Sequence, residues 1–574
     1  MIIMKRILIW LLLLPVVLSG QNDAEFKLGT ECKEAGADLT AKKICGIIDN
    51  KYIVYKTCAL ENSDYSITGP LVKKDLRGWK FDLVDQRSLS RVKYFQIIPD
   101  KGLIDLEMIY SGVFKDALYI FYSHYDKTGK KYLLKARTVN LKTYRLNEDG
   151  QTIAEIRSQA AKSSGRRVFE YAFSPDKSKF MVFSYPPLDE DGRGKLACHV
   201  FDKTLNLLIK KDLVVHQSGG LFLYQDIKIS NEGNVYILAR EYNDKVKDKV
   251  KGNPNYVYKL VCFSKDLEPV TTFEISLPQK FIQYIDFDVL STGDLVSAGF
   301  YSLTTKKKWE IAGTFYYLFD VKNNDVKINK EESLDTDFLF EYIKERTKAG
   351  SIFASYDAGL DNYYMRDFIV TENGETFLVA ERIEVDKEHS SSTSSGGYTS
   401  TTTNYYYEFE HHGIMVIKFN TQGETLWKKS IPKLQKSKYA RGSTRSIGYM
   451  QAPLFYGRDM DNDNIFDYID DKANCYDSYT AFYHNDKLFL VYNEAEKNIN
   501  SFETKKIRSS TPPGYIITVM VEIDENGNLL KKELCSYKKD KMLLLPFKSM
   551  KVNDKELLLL FNWKKKQKYG RLGF

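Results

Sequence analysis

The chain has 574 residues, of which 28% are charged and 14% aromatic, and its formal net charge is +8. This excess of basic charge is too small and too dispersed for a nucleic-acid-binding surface, which needs clustered Lys and Arg residues. A chain of this length is long for one ordinary domain, so several domains or one repeat fold are expected.

Residues 1–20 predict a secretory signal peptide. Lys5 and Arg6 precede an apolar run of about twelve residues, shorter than the roughly 20 apolar residues that span a bilayer. We therefore expect residues 21–574 to be exported, to the periplasm or the cell surface, with no transmembrane segment. An uncleaved membrane anchor is the alternative.

The sequence contains seven Cys residues, and Cys32, Cys45 and Cys58 follow one another at intervals of thirteen. Export permits disulfide formation, so this spacing predicts a pair among these three. The chain has no CxxC pair, which leaves a zinc ribbon or a thioredoxin-like redox site without support.

A strand–turn–strand unit recurs along the chain with a period near 60 residues. Each unit has a tight turn with Gly, Asp or Asn followed by a strongly apolar strand, which predicts β-hairpins. The hairpins are GIIDNKYIVYK, SGVFKDALYIFYS, FSPDKSKFMVFS, KISNEGNVYILA, VLSTGDLVSAGF, VTENGETFLVAE, YHNDKLFLVYN and KVNDKELLLLF.

A second hairpin pattern follows several of these units, as in CHVFDKTLNLLIKKDL and MVEIDENGNLLKKEL. Together the two hairpins form a four-stranded antiparallel sheet, the size of one propeller blade. The sequence therefore predicts an all-β fold, a β-propeller of seven or eight blades, whose last blade is completed by the N-terminal region. Two or three β-sandwich domains are the alternative, which the absence of Pro/Gly/Ser-rich linkers between units disfavours.

Three segments resemble known propeller sequences. FSPDKSKFMVFS resembles the SPDG-type turn of periplasmic propellers related to the TolB propeller, with Lys177 at the usual Gly position. NTQGETLWKKSIP resembles the G-x-x-x-W turn of quinoprotein-like repeats. The wider segment YYYEFEHHGIMVIKFNTQGETLWKKSIPKLQ is similar to uncharacterised exported bacterial proteins, a resemblance that implies a propeller fold but no particular activity.

Two intervals between hairpin turns exceed the period, and together they predict three insertions. Residues 335–348 have their apolar residues on one helical face, which predicts a short helix. Residues 386–404 include a Ser/Thr/Gly-rich tract, for which we expect a mobile hairpin loop. The third insertion, residues 457–475, contains the sequence RDMDNDNIFDYIDDKANC.

The Asp-rich loop, residues 458–475, matches the spacing of a calcium-binding loop. Calcium is bound by six to eight oxygen atoms, and this spacing turns successive carboxylates toward one centre. The ligands at positions 1, 3, 5, 7, 9 and 12 would be Asp459, Asp461, Asp463, the carbonyl of Ile465, Asp467 and Asp470.

This loop resembles the calcium loops of thrombospondin type 3 repeats and dockerins. It departs from them at position 6, where Asn464 replaces the usual Gly; Asn still tolerates the left-handed backbone that the turn needs. We expect calcium as a structural cofactor that orders the loop. An Asp-rich surface loop without an ion is the alternative.

No motif for catalysis or for a bound organic cofactor stands out in the chain. His411 and His412 are adjacent, and neighbouring residues on a strand point to opposite faces, so this pair is poorly placed to share an ion. Carboxylates from different blades that meet at the axis are an alternative that the sequence does not identify.

We therefore favour a non-catalytic propeller that binds a protein or a glycan at the cell envelope, through contacts that include Tyr405–Tyr407. A hydrolase or lyase acting on polysaccharide or peptide is the alternative.

Overall fold

The computed structural model describes residues 24–33, 39–58, 78–157, 168–186, 194–216, 221–303, 311–334, 362–396, 398–441, 476–503, 506–510, 514–563 and 566–574. The predicted signal peptide, the predicted helix over 335–348 and the Asp-rich loop lie outside these ranges. No helix within them is long and apolar enough to cross a membrane.

The described strands form eight antiparallel sheets that are the blades of a propeller, and one further two-stranded sheet. β1 (Glu25–Leu28) and β2 (Cys32–Lys33) precede the first blade. Blade 1 holds β3 (Leu39–Ile48), β4 (Lys51–Cys58), β5 (Trp79–Asp85) and β6 (Arg91–Ile97). Blade 2 holds β7 (Ile104–Phe114), β8 (Ala117–Asp126), β9 (Lys131–Asn140) and β10 (Arg145–Ile156). Blade 3 holds β11 (Glu170–Phe173), β12 (Lys179–Ser184), β13 (Gly194–Asp202) and β14 (Leu207–His216).

The next two blades follow the same order, and the first of them carries a small extra hairpin. Blade 4 holds β15 (Phe222–Ile229), β16 (Val235–Tyr242), β19 (Tyr256–Phe263) and β20 (Pro269–Ile275), with β17 (Lys249–Val250) paired to β18 (Asn253–Pro254) between its middle strands. Blade 5 holds β21 (Phe281–Val289), β22 (Leu295–Ser302), β23 (Gly313–Asp320) and β24 (Asp325–Ser333).

The last three blades contain the longest and the shortest strands. Blade 6 holds β25 (Tyr363–Val370), β26 (Thr376–Gly396), β27 (Tyr398–Phe419) and β28 (Thr425–Ile431), and β29 (Gln435–Arg441) pairs with β27. Blade 7 holds β30 (Tyr479–His484), β31 (Lys487–Ala495), β32 (Ile516–Ile523) and β33 (Leu529–Ser536). Blade 8 holds β34 (Leu543–Leu544), β35 (Met550–Asn553), β36 (Glu556–Trp563) and β37 (Lys566–Gly573).

Helical structure in the described ranges is confined to short turns. The α-helix α1 (Tyr537–Asp540) follows β33, and the side chain of Ser536 accepts a hydrogen bond from the backbone N–H of Lys539 at its N-terminus. Two 3₁₀ turns span Glu496–Asn498 and Pro546–Lys548. These turns connect strands and leave the sheets as the framework.

The predicted turns are formed by backbone hydrogen bonds at the predicted positions. Gly233, Gly293 and Gly374 have φ angles of 101°, 87° and 84°, which favour Gly. In each case the Gly N–H donates to the carbonyl three residues earlier, at 2.9–3.0 Å. The hairpins predicted from the sequence are therefore confirmed.

The N-terminal strand closes the ring, as predicted. β1 is the outer strand of blade 8 and pairs with β37 from Glu25 opposite Gly573 to Leu28 opposite Gly570. Blade 8 therefore takes its strands from both ends of the described chain. With this blade complete, the propeller has eight blades rather than seven.

The apolar core is divided into clusters that lie between neighbouring blades. In the described part of the chain there are eight such clusters, one for each blade junction around the ring. β4 explains the pattern: Tyr52 and Val54 pack toward blade 8, whereas Ile53 and Tyr55 pack toward blade 2. Because alternate residues of a strand point to opposite faces, a middle strand buried on both faces must be apolar throughout.

Two sequence predictions are wrong in part. The tract over 386–404 is not a loop: its backbone continues the pairing of β26 with β27 as far as Gly396 opposite Tyr398. Thr is common in strands, and the ladder of backbone hydrogen bonds extends through the tract.

The predicted pairing of the first three cysteines does not include Cys45. Cys45 is a free, buried thiol whose Sγ lies 3.1 Å from Ser111 Oγ. Burial raises the pKa of this thiol, because the thiolate would be poorly solvated between blades 1 and 2.

Candidate functional site

The first strand of each blade lies nearest the propeller axis. First strands of neighbouring blades contact one another, as β3 does with β7 and β21 does with β25. Fourth strands such as β10 and β24 are largely exposed. Side chains at the inner edge therefore line the axial region where ligands bind in many ring-shaped folds.

Register shifts recur in the inner strands. The pairing of β15 with β16 shifts between Tyr224 and Asp226, and that of β21 with β22 shifts between Ile282 and Tyr284. A third shift in β25 lies between Met365 and Asp367. Such bulges bend a strand and redirect the side chains beside them, which is why they often occur next to binding sites.

Acidic residues occupy the same position in four consecutive inner strands. In each hairpin, the acidic residue lies three positions before the last residue of the first strand that pairs with the second strand. The four residues are Glu170, Asp226, Asp286 and Asp367. The repeat therefore places an acidic residue at equivalent positions in the inner strands of blades 3 to 6.

The densest part of this arrangement is the axial cluster, formed by Asp226, Lys228, Asp286 and Asp288. Lys228 Nζ lies 3.4 Å from Asp286 Oδ1, 3.8 Å from Asp226 Oδ2 and 3.9 Å from Asp288 Oδ1. Lys228 also donates a hydrogen bond to the carbonyl of Phe287. One lysine of blade 4 is thus held among carboxylates from blades 4 and 5.

The axial cluster is enclosed by protein but reached by solvent. The side chains of Lys228 and Asp286 are 27% and 35% exposed. Burial raises the pKa of Asp286 to about 6, and the neighbouring carboxylates outweigh burial to raise the pKa of Lys228. Asp286 therefore titrates well above an ordinary Asp, close to neutral pH.

Such an arrangement has the elements of an acid–base pair. Each carboxylate oxygen lies within 3.9 Å of the same nitrogen. No two of these oxygens are therefore more than about 8 Å apart, a limit that admits the separations of glycosidase carboxyl pairs. Acid and base roles are commonly divided between a carboxyl group with a raised pKa and a second carboxyl group nearby.

The inner strands of blades 1 to 3 carry a cation beside two aromatic rings. Lys43 Nζ lies 3.4 Å from the centroid of the Tyr110 ring and 5.7 Å from that of Tyr171. The two rings are 4.8 Å apart. Lys43 of blade 1 therefore lies beside aromatic rings of blades 2 and 3.

A buried ionic network in blade 6 reaches blade 7 through Ser478, the residue before β30, whose hydroxyl donates a hydrogen bond to Glu381. Glu381 is fully buried and forms ion pairs with Lys433, with Arg366 at 3.6 Å and with His411 at 3.4 Å. Burial alone would raise the pKa of Glu381, but Lys433 and His411 outweigh it and lower the pKa. Because Glu381 and Lys433 are inaccessible to solvent, this network holds the blades together and is poorly placed to meet a substrate.

The residues predicted from sequence are distributed as follows. The predicted calcium ligands, Asp459 to Asp470, lie outside the described residues. His411 and His412 point to opposite faces, as predicted: His411 reaches the buried network, and His412 lies near Glu384 and Glu410. Tyr405–Tyr407 lie in β27, where their backbone pairs with β26 and β29.

Sequence reasoning missed the axial acids, although the repeat contained a signal for them. When QDIKISNEGN, IDFDVLSTGD and RDFIVTENGE are aligned on their turn glycines, Asp226, Asp286 and Asp367 coincide. An alignment of the repeats on the turns would have identified this position.

The fold and the axial site define the protein as an eight-bladed β-propeller with a charged axis. No known family matches the chain, and no curated protein matches it. Similarity is found only among solved structures, as follows.

A protein of unknown function from Bacteroides caccae is 11% identical, with a TM-score of 0.24, over 61% of this chain and 89% of its own. The polysaccharide lyase Uly1 is 9% identical, with a TM-score of 0.36, over 95% and 99% of the two chains. The propeller domain of the trilobed protease from Pyrococcus furiosus is 10% identical, with a TM-score of 0.26, over 72% and 100%. These likenesses concern the fold alone.

Proposed function

We propose that the protein is an exported, non-catalytic β-propeller that binds a protein or a glycan at the cell envelope. The observation that carries this proposal is the arm, which we define as residues 384–396 of β26 paired with residues 398–410 of β27. Export rests on the predicted signal peptide alone.

The arm extends well beyond its blade. β26 and β27 have 21 and 22 residues, whereas β25 has 8. Since a strand rises about 3.4 Å per residue, the paired arm is on the order of 40 Å long. β29 pairs with its proximal part, from Tyr405 opposite Arg441 to His411 opposite Gln435.

An arm of this kind is suited to contacting a partner. A two-stranded ribbon is marginally stable by itself in water, so a surface that covers it would stabilise it. The sequence of its tip is rich in Ser and Thr, and its edges present backbone N–H and C=O groups. These groups can form hydrogen bonds with an extended peptide or with sugar hydroxyls.

The test compares the full arm with a shortened arm. Lys387 is opposite Tyr407 in the register, so replacing residues 388–406 by Asn-Gly should close a two-residue hairpin. Both proteins are applied to a glycan array and to labelled envelope proteins, and their melting temperatures are compared. We expect a defined partner to bind the full-arm protein and not the short-arm protein, with similar melting temperatures. Equal binding by the two would contradict the role of the arm.

A second candidate, a hydrolase or lyase acting on polysaccharide or peptide, is favoured by the axial cluster. Asp286, with its raised pKa, would serve as the acid, and Asp226 or Asp288 would act as the second carboxyl group. The wild-type protein and the Asp286→Asn variant would be assayed against polysaccharide and peptide panels. If the candidate is correct, the variant loses about 10²–10⁴-fold in rate, the usual contribution of a general acid or base. Absence of turnover of every substrate by the wild-type protein would favour binding.

We further propose that the Asp-rich loop binds calcium and that the ion is structural. The spacing of Asp459, Asp461 and Asp463 supports this proposal, which rests on sequence alone.

A further inference from the structure

We propose that the base of the arm is a binding site for a divalent transition-metal ion, and that zinc is the ion it suits best. We call it the arm-base site; its ligands are Glu384 of β26 and Glu410 and His412 of β27. One ligand atom from each of the three residues lies within 4.8 Å of the others. The site is separate from the Asp-rich loop and does not depend on which partner the arm binds.

Backbone pairing brings two negative charges together at this point. Glu384 is directly opposite Glu410 in the antiparallel register. Like charges at opposing positions destabilise a sheet, and positive charge placed nearby reduces that cost. The register shift between Glu381 and Ile383 lies next to this pair, near His412.

A basic side chain pairs with the Oε1 atom of each carboxylate. Arg382 pairs with Oε1 of Glu384, and Lys436 pairs with Oε1 of Glu410. The Oε2 atoms face His412 Nε2, at 3.5 Å for Glu384 and 3.4 Å for Glu410. Basic groups that orient metal-bound carboxylates in this way are typical of the second shell of metal sites.

The two distances from His412 fit a metal ion. Zinc binds His nitrogen and carboxylate oxygen at about 2.0–2.1 Å, so two ligands of a tetrahedral ion lie about 3.4 Å apart. Both separations from His412 Nε2 have this value within 0.1 Å. Nε2 is also buried and has no hydrogen-bond partner among the described residues. A nitrogen aimed at two carboxylate oxygens without a hydrogen bond is the arrangement that an ion would complete.

The donor set selects the kind of metal. Imidazole favours zinc and its transition-metal neighbours over calcium and magnesium, which prefer oxygen ligands alone. Three protein ligands leave one position of a tetrahedral zinc ion open to water or to a partner's group. The ion would also cross-link β26 and β27 where the arm leaves the blade.

The experiment uses the full mature chain, freed of metal by chelation, and Zn²⁺ alone as the probe. Zinc binding is measured by isothermal titration calorimetry and by metal content after dialysis, and the melting temperature is recorded with and without the ion. We expect one Zn²⁺ at this site, a higher melting temperature with zinc, and at least a 100-fold loss of affinity in His412→Asn.

Two further variants separate loss of the ligand from loss of folding. Glu410→Gln keeps the shape of the side chain and should also lose zinc, whereas His484→Asn, a matched histidine substitution on β30, should bind like the wild type. Circular dichroism confirms that each variant is folded. The proposal is overturned if the wild-type protein binds no Zn²⁺ at 100 µM, or if His412→Asn and Glu410→Gln bind it with unchanged affinity.

Discussion

Tyr569 in β37 donates a hydrogen bond from its hydroxyl to Asp82 Oδ2 in β5, at 2.7 Å, although the two residues are separated by 487 positions. Both are buried, and the same carboxylate oxygen accepts a hydrogen bond from Lys56 Nζ at 3.1 Å. The contact joins blade 8 to blade 1. The ring is therefore closed by a buried polar network as well as by the pairing of β1 with β37.

Replacing Asp82 by Ala should destabilise the ring strongly. Lys56 is fully buried, and loss of its carboxylate partner leaves an uncompensated charge, which costs about 3–5 kcal/mol. Tyr569→Phe removes one hydrogen bond and should cost about 1–3 kcal/mol. Urea unfolding curves measure both effects, and Asp149→Ala, at an exposed position, is the control. A change below 1 kcal/mol for Asp82→Ala would show that the network does not stabilise the closure.

The N-terminal strand should contribute to stability through one apolar side chain. Phe26 is half-buried, and its ring lies 6.1 Å from that of Phe561 in the core between blades 7 and 8. Phe26→Ala should lower the free energy of unfolding by about 1–2 kcal/mol, roughly half the value for a fully buried side chain, and increase amide exchange in β37. Glu25→Ala, at an exposed position of the same strand, should change neither. Unchanged exchange in Phe26→Ala would mean that β1 does not protect the last blade.

The ionic network between blades 6 and 7 should show strong coupling. Glu381→Leu alone leaves Lys433 buried without its main counter-charge and should cost about 3–5 kcal/mol. Glu381→Leu with Lys433→Met removes both charges and should cost less than the sum of the single changes, by about 0.5–3 kcal/mol. A double-mutant cycle in guanidinium measures the coupling. Additive effects would indicate that the two groups do not depend on each other.

Stability should fall as the pH falls from about 6.5 to 4 because of His199. Burial, assisted by Lys210, lowers the pKa of His199 to about 4, whereas an unfolded His titrates near 6.5. Between these values the unfolded chain binds a proton that the folded chain does not, so acid favours unfolding by up to about 3 kcal/mol. His199→Gln should flatten this part of a plot of unfolding free energy against pH. An unchanged slope in the variant would assign the acid sensitivity to other groups.

Calcium should stabilise the protein through the Asp-rich loop. At 10 mM, an ion with a Kd of about 10⁻⁴–10⁻³ M adds about 1.4–2.7 kcal/mol. The melting temperature of the wild type should rise, and that of a variant with Asn at Asp459, Asp461 and Asp463 should not. Asp554→Asn, at a residue on the turn between β35 and β36, is the control. No shift at 10 mM calcium in the wild type would rule out a calcium site of this affinity.

The hairpins were predictable from the sequence, and the axial acids were not. A turn such as that at Gly293 depends on its own residues, and its strands pair with their neighbours in the chain. The approach of Lys228 to Asp286 depends on how two blades pack and on the bulges in both inner strands. A shift of one residue in either register would turn these side chains to the other face of the sheet.

The sequence by itself determined the repeat, the class of fold and the closure by an N-terminal strand, because these follow from local turn chemistry and from alternating apolar residues. The tertiary structure decided which charged groups meet: Tyr569 with Asp82, Lys228 with Asp286, and Glu384 with Glu410 and His412. It also showed that the tract expected to be a loop forms the paired strands of the arm. The physical reason is that contacts between blades, and strand pairing far from a turn, depend on register and packing, which no local sequence pattern specifies.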